Sequence, residues 1–134
     1  MPSLKSRYSE HECFLFTLNG IEDKNEVKPW WIRIICFFWG KTYQFSITDS
    51  DLADMINGIE LFVKGKSDKY YIETTDFNFI FKIRKTDTIK GEILIEIWYG
   101  EIVDNMVGIR FYSSIDIISK FCNELKNDYT KLEV

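Results

Sequence analysis

Between Asp49 and Lys64 the chain reads DSDLADMINGIELFVK, and its apolar residues recur at steps of three and four. Leu52, Met55, Ile56, Ile59, Phe62 and Val63 fall on one face of a helix, while Asp51, Asp54, Asn57, Glu60 and Lys64 fall mostly on the other. That is the pattern of a helix with one buried stripe. Asp49 or Ser50 is placed to cap its start, Asp51 and Asp54 suit the positive end of the helix dipole, and Gly65 suits its stop. Residues before this segment read as strands, and so do most of those between it and the C-terminal region. The strands must therefore fold over the apolar face of this one helix.

The N-terminal part contributes three strands. Met1–Ser6 is expected as a loose tail, and Tyr8–Leu18 as a strand carrying Phe14, Phe16 and Leu18 on one face, with Cys13, Leu15 and Thr17 on the other. Asn19-Gly20 reads as a turn and Ile21–Lys28 as a charged loop. Trp30–Trp39, WWIRIICFFW, is almost continuously apolar. It suits a strand buried on both faces, or on one face with aromatic cover on the other. Gly40-Lys41 turns it into Thr42–Ile47, where Tyr43, Phe45 and Ile47 point inward, completing a hairpin.

Beyond the helix, Tyr70–Glu73, Phe77–Arg84, Glu92–Tyr99 and Met106–Tyr112 alternate as further strands. Ser113-Ser114, with Asp116 in capping-box position, opens a second helix striped by Ile115, Ile118, Phe121, Cys122 and Leu125. It is expected to end near Asp128, leaving Tyr129–Val134 as a tail. The fold class is α+β in a single domain over residues 1–134: a strongly bent, mostly antiparallel sheet of about seven strands in the order β-β-β-α-β-β-β-β-α, or a partly closed barrel around the helix.

With 46% hydrophobic and 16% aromatic residues, such a chain builds its core without metals or disulfides. Cys13, Cys36 and Cys122 are odd in number and show no CxxC spacing, so they read as buried free thiols of a reducing cytoplasm. The polar start MPSLKSRYSEHE lacks the apolar core of a signal peptide, and Ile32–Trp39 is too short to span a membrane. The net charge of -4 argues against a nucleic-acid binder.

Catalytic chemistry is thinly represented. His11 is the single histidine and sits between Glu10 and Glu12, where surface is the simpler reading; a Cys13–His11 pair has no third group to orient it. Asp49, Asp51 and Asp54 are interrupted by Leu52 and Ala53 and read as caps rather than calcium ligands. No zinc spacing and no glycine-rich phosphate loop is present, so no cofactor and no enzymatic activity is expected. Of Trp30 and Trp31, neighbours on a strand, one is expected in the core and the other over the sheet or in solvent.

One strand is distinctive. Gly91–Ile109 contains Glu92, Glu96, Glu101 and Asp104 and no lysine or arginine. On Glu92–Tyr99 the side away from Ile93, Ile95, Ile97 and Tyr99 joins two carboxylates to Leu94 and Trp98. Glu92, Glu96, Trp98, Glu101 and Asp104 are therefore the candidate partner-binding residues, an aromatic anchor ringed by acid. The competing reading pairs Arg84 with Glu92 across a hairpin and covers Leu94 and Trp98 with the C-terminal helix.

The hairpin running into FSITDSDLADMINGIELFVKG and the ending GIRFYSSIDIISKFCNEL resemble the small bacterial immunity proteins of WapI-type polymorphic toxin systems. The strand-to-helix step at Phe45–Leu52, the helix to Val63 and the step at Gly108–Leu125 carry the likeness. The resemblance implies a cytoplasmic, non-enzymatic protein that binds and neutralises a cognate secreted toxin domain, often a nuclease. An acidic inhibitor would steer to the basic cleft of such a toxin. Immunity interfaces vary, so no binding residue transfers by position. Two other readings remain: a small-molecule-binding module with an aromatic-lined cavity, and a structural or regulatory homodimer subunit joined through a strand edge or a Trp-rich face.

Overall fold

A computed structural model describes residues 2–8, 12–22, 30–76, 78–86, 90–100 and 106–132. Along the chain its elements are β1 (Ser3–Lys5), β2 (Glu12–Ile21), β3 (Trp31–Phe38), β4 (Lys41–Thr48), α1 (Asp49–Val63), β5 (Lys69–Glu73), β6 (Phe79–Lys85), β7 (Glu92–Tyr99), β8 (Val107–Ser114) and α2 (Ile115–Leu132). The α+β class holds, with two helices, but the strands form two four-stranded antiparallel sheets, β1-β2-β3-β4 and β5-β6-β7-β8, instead of one bent sheet of about seven. The division has a local cause. Short turns pair consecutive strands, and α1 interrupts that pairing once, carrying the chain from the first meander to the second.

Several boundaries differ from the sequence expectation. The tail Met1–Ser6 contains an edge strand, with Leu4 paired to Phe14 and wholly buried; three residues are too few to show a period. Asn19-Gly20 makes no turn. It is a bulge inside β2, where the register to β3 slips between Leu18 and Ile21 and Gly20 takes φ +97°. The β3–β4 turn is made by Trp39 and Gly40 at φ 55° and 71°, the left-handed pair of a two-residue hairpin, leaving Phe38 opposite Lys41. The second helix continues past Asp128 to Leu132, because Tyr129 and Leu132 extend the apolar stripe from Leu125 and pack on the core.

Helix ends are capped one step away from where the spacing pointed. Thr48, not Asp49 or Ser50, caps α1: its hydroxyl accepts from the Asp51 amide at 3.0 Å, and Asp51 accepts from the Thr48 amide at 3.4 Å. Ser114 accepts from Ile117 at the head of α2, while the buried Ser113 hydroxyl donates to the Lys5 carbonyl at 2.7 Å.

The sheets face each other across an aromatic core. Phe14 and Phe16 of β2 lie 6.3 and 5.7 Å from Phe79 of β6, Phe45 lies 5.1 Å from Phe79, and Tyr43 lies 5.0 Å from Tyr99. From α2, Phe121 reaches both Phe14 and Phe16 and stacks on Phe81 at 6.2 Å, tying the helix to both sheets. Hydrogen bonds also tie the two sheets together. Arg7 donates its amide to the Tyr112 carbonyl and Trp39 its indole N–H to the Gly108 carbonyl, each at 2.7 Å. Tyr99 and Asn78 donate to the carbonyls of Gln44 and Ser46, each at 3.3 Å.

Helix α1 lies on β5 and on α2. Gly58 faces the Tyr70 ring so closely that a Cβ there would stand 2.0 Å from Tyr70 Cε1. Toward α2, Lys126 pairs with Glu60 at 2.7 Å, and the Cys122 thiol approaches the Ile56 carbonyl at 3.7 Å. Among the described residues, no helix is long and apolar enough to cross a membrane.

Candidate functional site

The inner side of the second sheet is committed to the core through Phe79, Phe81, Ile83, Ile93, Ile95, Ile97 and Phe111. The opposite face is set by the registers of β5 to β8, which lay its residues out in three cross-strand rows. The first runs Lys69, Arg84, Leu94, Tyr112; the second Tyr71, Lys82, Glu96, Arg110; the third Glu73, Ile80, Trp98, Gly108. Lys69, Tyr71, Lys82, Arg84, Arg110 and Tyr112 are exposed. This face is the candidate site. Among the described residues, the core aromatics pack ring against ring.

The sequence candidates divide on it. Glu92 is corrected: it is not presented to a partner but buried at 4% exposure. Its carboxylate accepts from the Tyr8 hydroxyl and, at 3.0 Å, from Thr86 Oγ1. That hydrogen bond, with burial and the Glu92 charge behind it, holds the Tyr8 phenol above its ordinary pKa. The Arg84–Glu92 pair does not form, since Arg84 lies opposite Leu94 and Glu92 opposite Ser114. Glu96 does lie on the face, between Lys82 and Arg110, with Arg110 Nε 3.9 Å from its Oε1. Trp98 is half-buried and its indole lies over Gly108, where a Cβ would come within 2.4 Å of the ring. Glu101, Asp104 and His11 lie outside the described residues.

The C-terminal helix covers neither Leu94 nor Trp98; α2 lies against β1, β2, β8 and α1. Leu94 is nonetheless buried, with Arg84 and Tyr112 opposite it on the flanking strands. Beside it opens a depression of about 490 Å³ bordered by Lys69, Tyr71, Lys82, Arg84, Leu94 and Glu96. Lys82 Nζ lies 5.3 Å from the centre of the Tyr71 ring. The Tyr71 hydroxyl donates to Glu73 at 2.9 Å, which raises its pKa.

Around β7 the described surface is thus of mixed charge and rich in cations. The acidic bias of Gly91–Ile109 is a property of the chain order; in space its neighbours come from β6 and β8, which supply Lys82, Arg84 and Arg110. Sequence reasoning placed Lys82 and Arg84 on this side but missed Tyr71 and Tyr112, because adjacent residues such as Tyr70 and Tyr71 point to opposite faces and a short strand does not say which is outside.

Elsewhere the inventory is structural. The aspartates at the start of α1 serve as caps and ties: Asp49 accepts from the Trp30 amide at 3.2 Å, and Asp51 from the amide and hydroxyl of Thr75, each at 3.0 Å. Trp30 and Trp31 are both half-buried, so neither is the core residue expected of the pair. Cys36 and Cys122 are buried free thiols, pushed up to about 12 and about 11 by burial, whereas Cys13 is only half-buried. Among the described residues, no cluster of His, Cys, Asp and Glu could hold a metal ion. No family model matches the chain, and no curated protein or solved structure matches it either.

Proposed function

We propose that this is a cytoplasmic, non-enzymatic binding protein that neutralises a cognate toxin domain in the manner of the immunity proteins it resembles, and that it docks through the outer face of β5–β8. The observation carrying the docking surface is a sheet face that displays Tyr71, Trp98, Tyr112, Arg84 and Arg110, with Tyr71 and Arg84 bordering a depression beside Leu94. Tyrosine, tryptophan and arginine are the residue types that supply most of the energy at protein interfaces, and a central pocket for an anchor side chain is where that energy concentrates. The immunity reading itself is supported by the resemblance at Phe45–Leu52, along α1 and at Gly108–Leu125.

Co-expression with a toxin domain, if one is encoded next to this gene, tests the reading. Growth is restored if it holds, and absence of rescue refutes it. Replacing Tyr71 and Arg84 by alanine together should abolish rescue while leaving the unfolding midpoint nearly unchanged, since both side chains are exposed. Reversing the charges of Glu96, Glu101 and Asp104 together should weaken rescue less. If the acidic reversal abolishes protection and the Tyr71/Arg84 variant retains it, the docking face is wrong and the acidic residues Glu96, Glu101 and Asp104 take its place.

A further inference from the structure

The row nearest the depression contains an uncompensated pair of like charges. Lys69 and Arg84 are directly opposite each other across β5 and β6, and both are exposed. Like charges in that position cost stability where opposite charges would add to it. Lys82, the next cation outward on β6, has the Tyr71 ring for company. The carboxylates on the face are already engaged: Glu96 with Arg110 at 3.9 Å, and Glu73 by the Tyr71 hydroxyl at 2.9 Å. Asp68, next to Lys69 in the chain, lies 3.7 Å from Lys85. Among the described residues, no carboxylate forms an ion pair with Lys69, Lys82 or Arg84, and the three border the same depression of about 490 Å³.

We infer that this depression receives an acidic segment of the partner protein, with an apolar side chain entering beside Leu94 and Tyr71 and carboxylates meeting Lys69, Lys82 and Arg84. The inference rests on the docking face proposed above and inverts the charge expected of the partner surface. Two features select this occupant. The cations are spread along a strand pair and not gathered at one point, which matches carboxylates spaced along a peptide. Tyr71 and Leu94 give the depression an apolar wall, which a simple anion would leave unfilled. Such a segment would remove the Lys69–Arg84 repulsion on binding, so part of the affinity is a cost the free protein already carries.

The probe is a random copolymer of glutamate and tyrosine, titrated into the full chain and followed by backbone amide shifts. A copolymer of lysine and tyrosine and free citrate serve as comparisons. Shifts confined to Lys69–Tyr71, Lys82–Arg84 and Leu94–Glu96, weakened about tenfold or more by Lys69→Glu with Arg84→Glu and by raised salt, are expected. Arg84→Glu alone should leave thermal stability unchanged or raise it, because it replaces a repulsion by an attraction; this separates lost binding from lost folding. Equal binding of the basic copolymer overturns the charge assignment. Equal binding of citrate overturns the segment in favour of a small anion. No binding of the acidic copolymer overturns the inference while leaving toxin rescue to stand or fall on its own result.

Discussion

Gly58→Ala reverses the usual rule for helix interiors. Alanine in place of glycine in the middle of a helix ordinarily gains about 1 kcal/mol. Here the new methyl would stand 2.0, 2.3 and 2.6 Å from Cε1, Cδ1 and Cζ of Tyr70, where ordinary contact begins at 3.4 Å. Ring and helix must therefore separate by about 1.4 Å, the difference between 3.4 and 2.0 Å. The ring cannot move away freely, because its hydroxyl is buried and the residue packs against the core. Overpacking of this kind costs about 3 kcal/mol at its upper range, so the net loss is about 2 kcal/mol. With a urea slope of about 2 kcal/mol per molar, the midpoint falls by about 1 M. In a Tyr70→Ala background the clash is gone, and the same Gly58→Ala change should raise the midpoint by about 0.5 M. Urea titrations of the four proteins, followed by helical circular dichroism, measure the cycle. If Gly58→Ala stabilises the wild-type background, or if its sign fails to change with Tyr70, the close packing of α1 on β5 is refuted.

Tyr70→Phe should stabilise the protein by about 1 kcal/mol, since the buried hydroxyl it removes has no hydrogen-bond partner among the described residues. Burial, with Asp54 and Asp51 behind it, pushes this phenol above its ordinary 10.0. Ionisation of this phenol therefore favours the unfolded chain, so stability is unaffected by it below pH 10 and falls as the pH rises beyond it, and the variant should show a flatter stability profile in alkali. Glu92→Ala should cost about 2 kcal/mol in urea denaturation by depriving Tyr8 and Thr86 of their acceptor, and Glu92→Gln should return the Tyr8 phenol toward its ordinary value in an NMR titration. In the folded protein at pH 8, iodoacetamide should label Cys13 ahead of Cys36 and Cys122, whose thiols burial holds protonated. Labelling of Cys36 at the rate of a free thiol would contradict its place in the core.

Much of the fold was legible because periodicity is a local property. The stripe from Leu52 to Phe62 is the buried face of α1, and the alternations at Phe14–Phe16, Tyr43–Ile47 and Ile93–Ile97 point into the core as expected. What escaped had no period to show. A three-residue edge strand at Ser3–Lys5 offers one buried side chain, and a bulge at Asn19-Gly20 uses the residues of a turn. The Trp39-Gly40 turn places a bulky residue in a conformation that composition disfavours, steadied by its indole bond to Gly108.

The candidate site divides along the same line. Which residues of β7 face away from the core was settled along the strand, because successive side chains alternate whatever lies beside them. The character of the face they join was not. Glu92 became a buried acceptor because the N-terminal segment brings Tyr8 to it, and Glu96 became one partner among cations because β6 and β8 flank it with Lys82 and Arg110. Lys69 and Arg84, distant in the chain, became neighbours through the β5–β6 register. Side-chain direction follows from covalent geometry and is written into the order of residues, whereas charge acts through space and sums over whatever the strand pairing brings near.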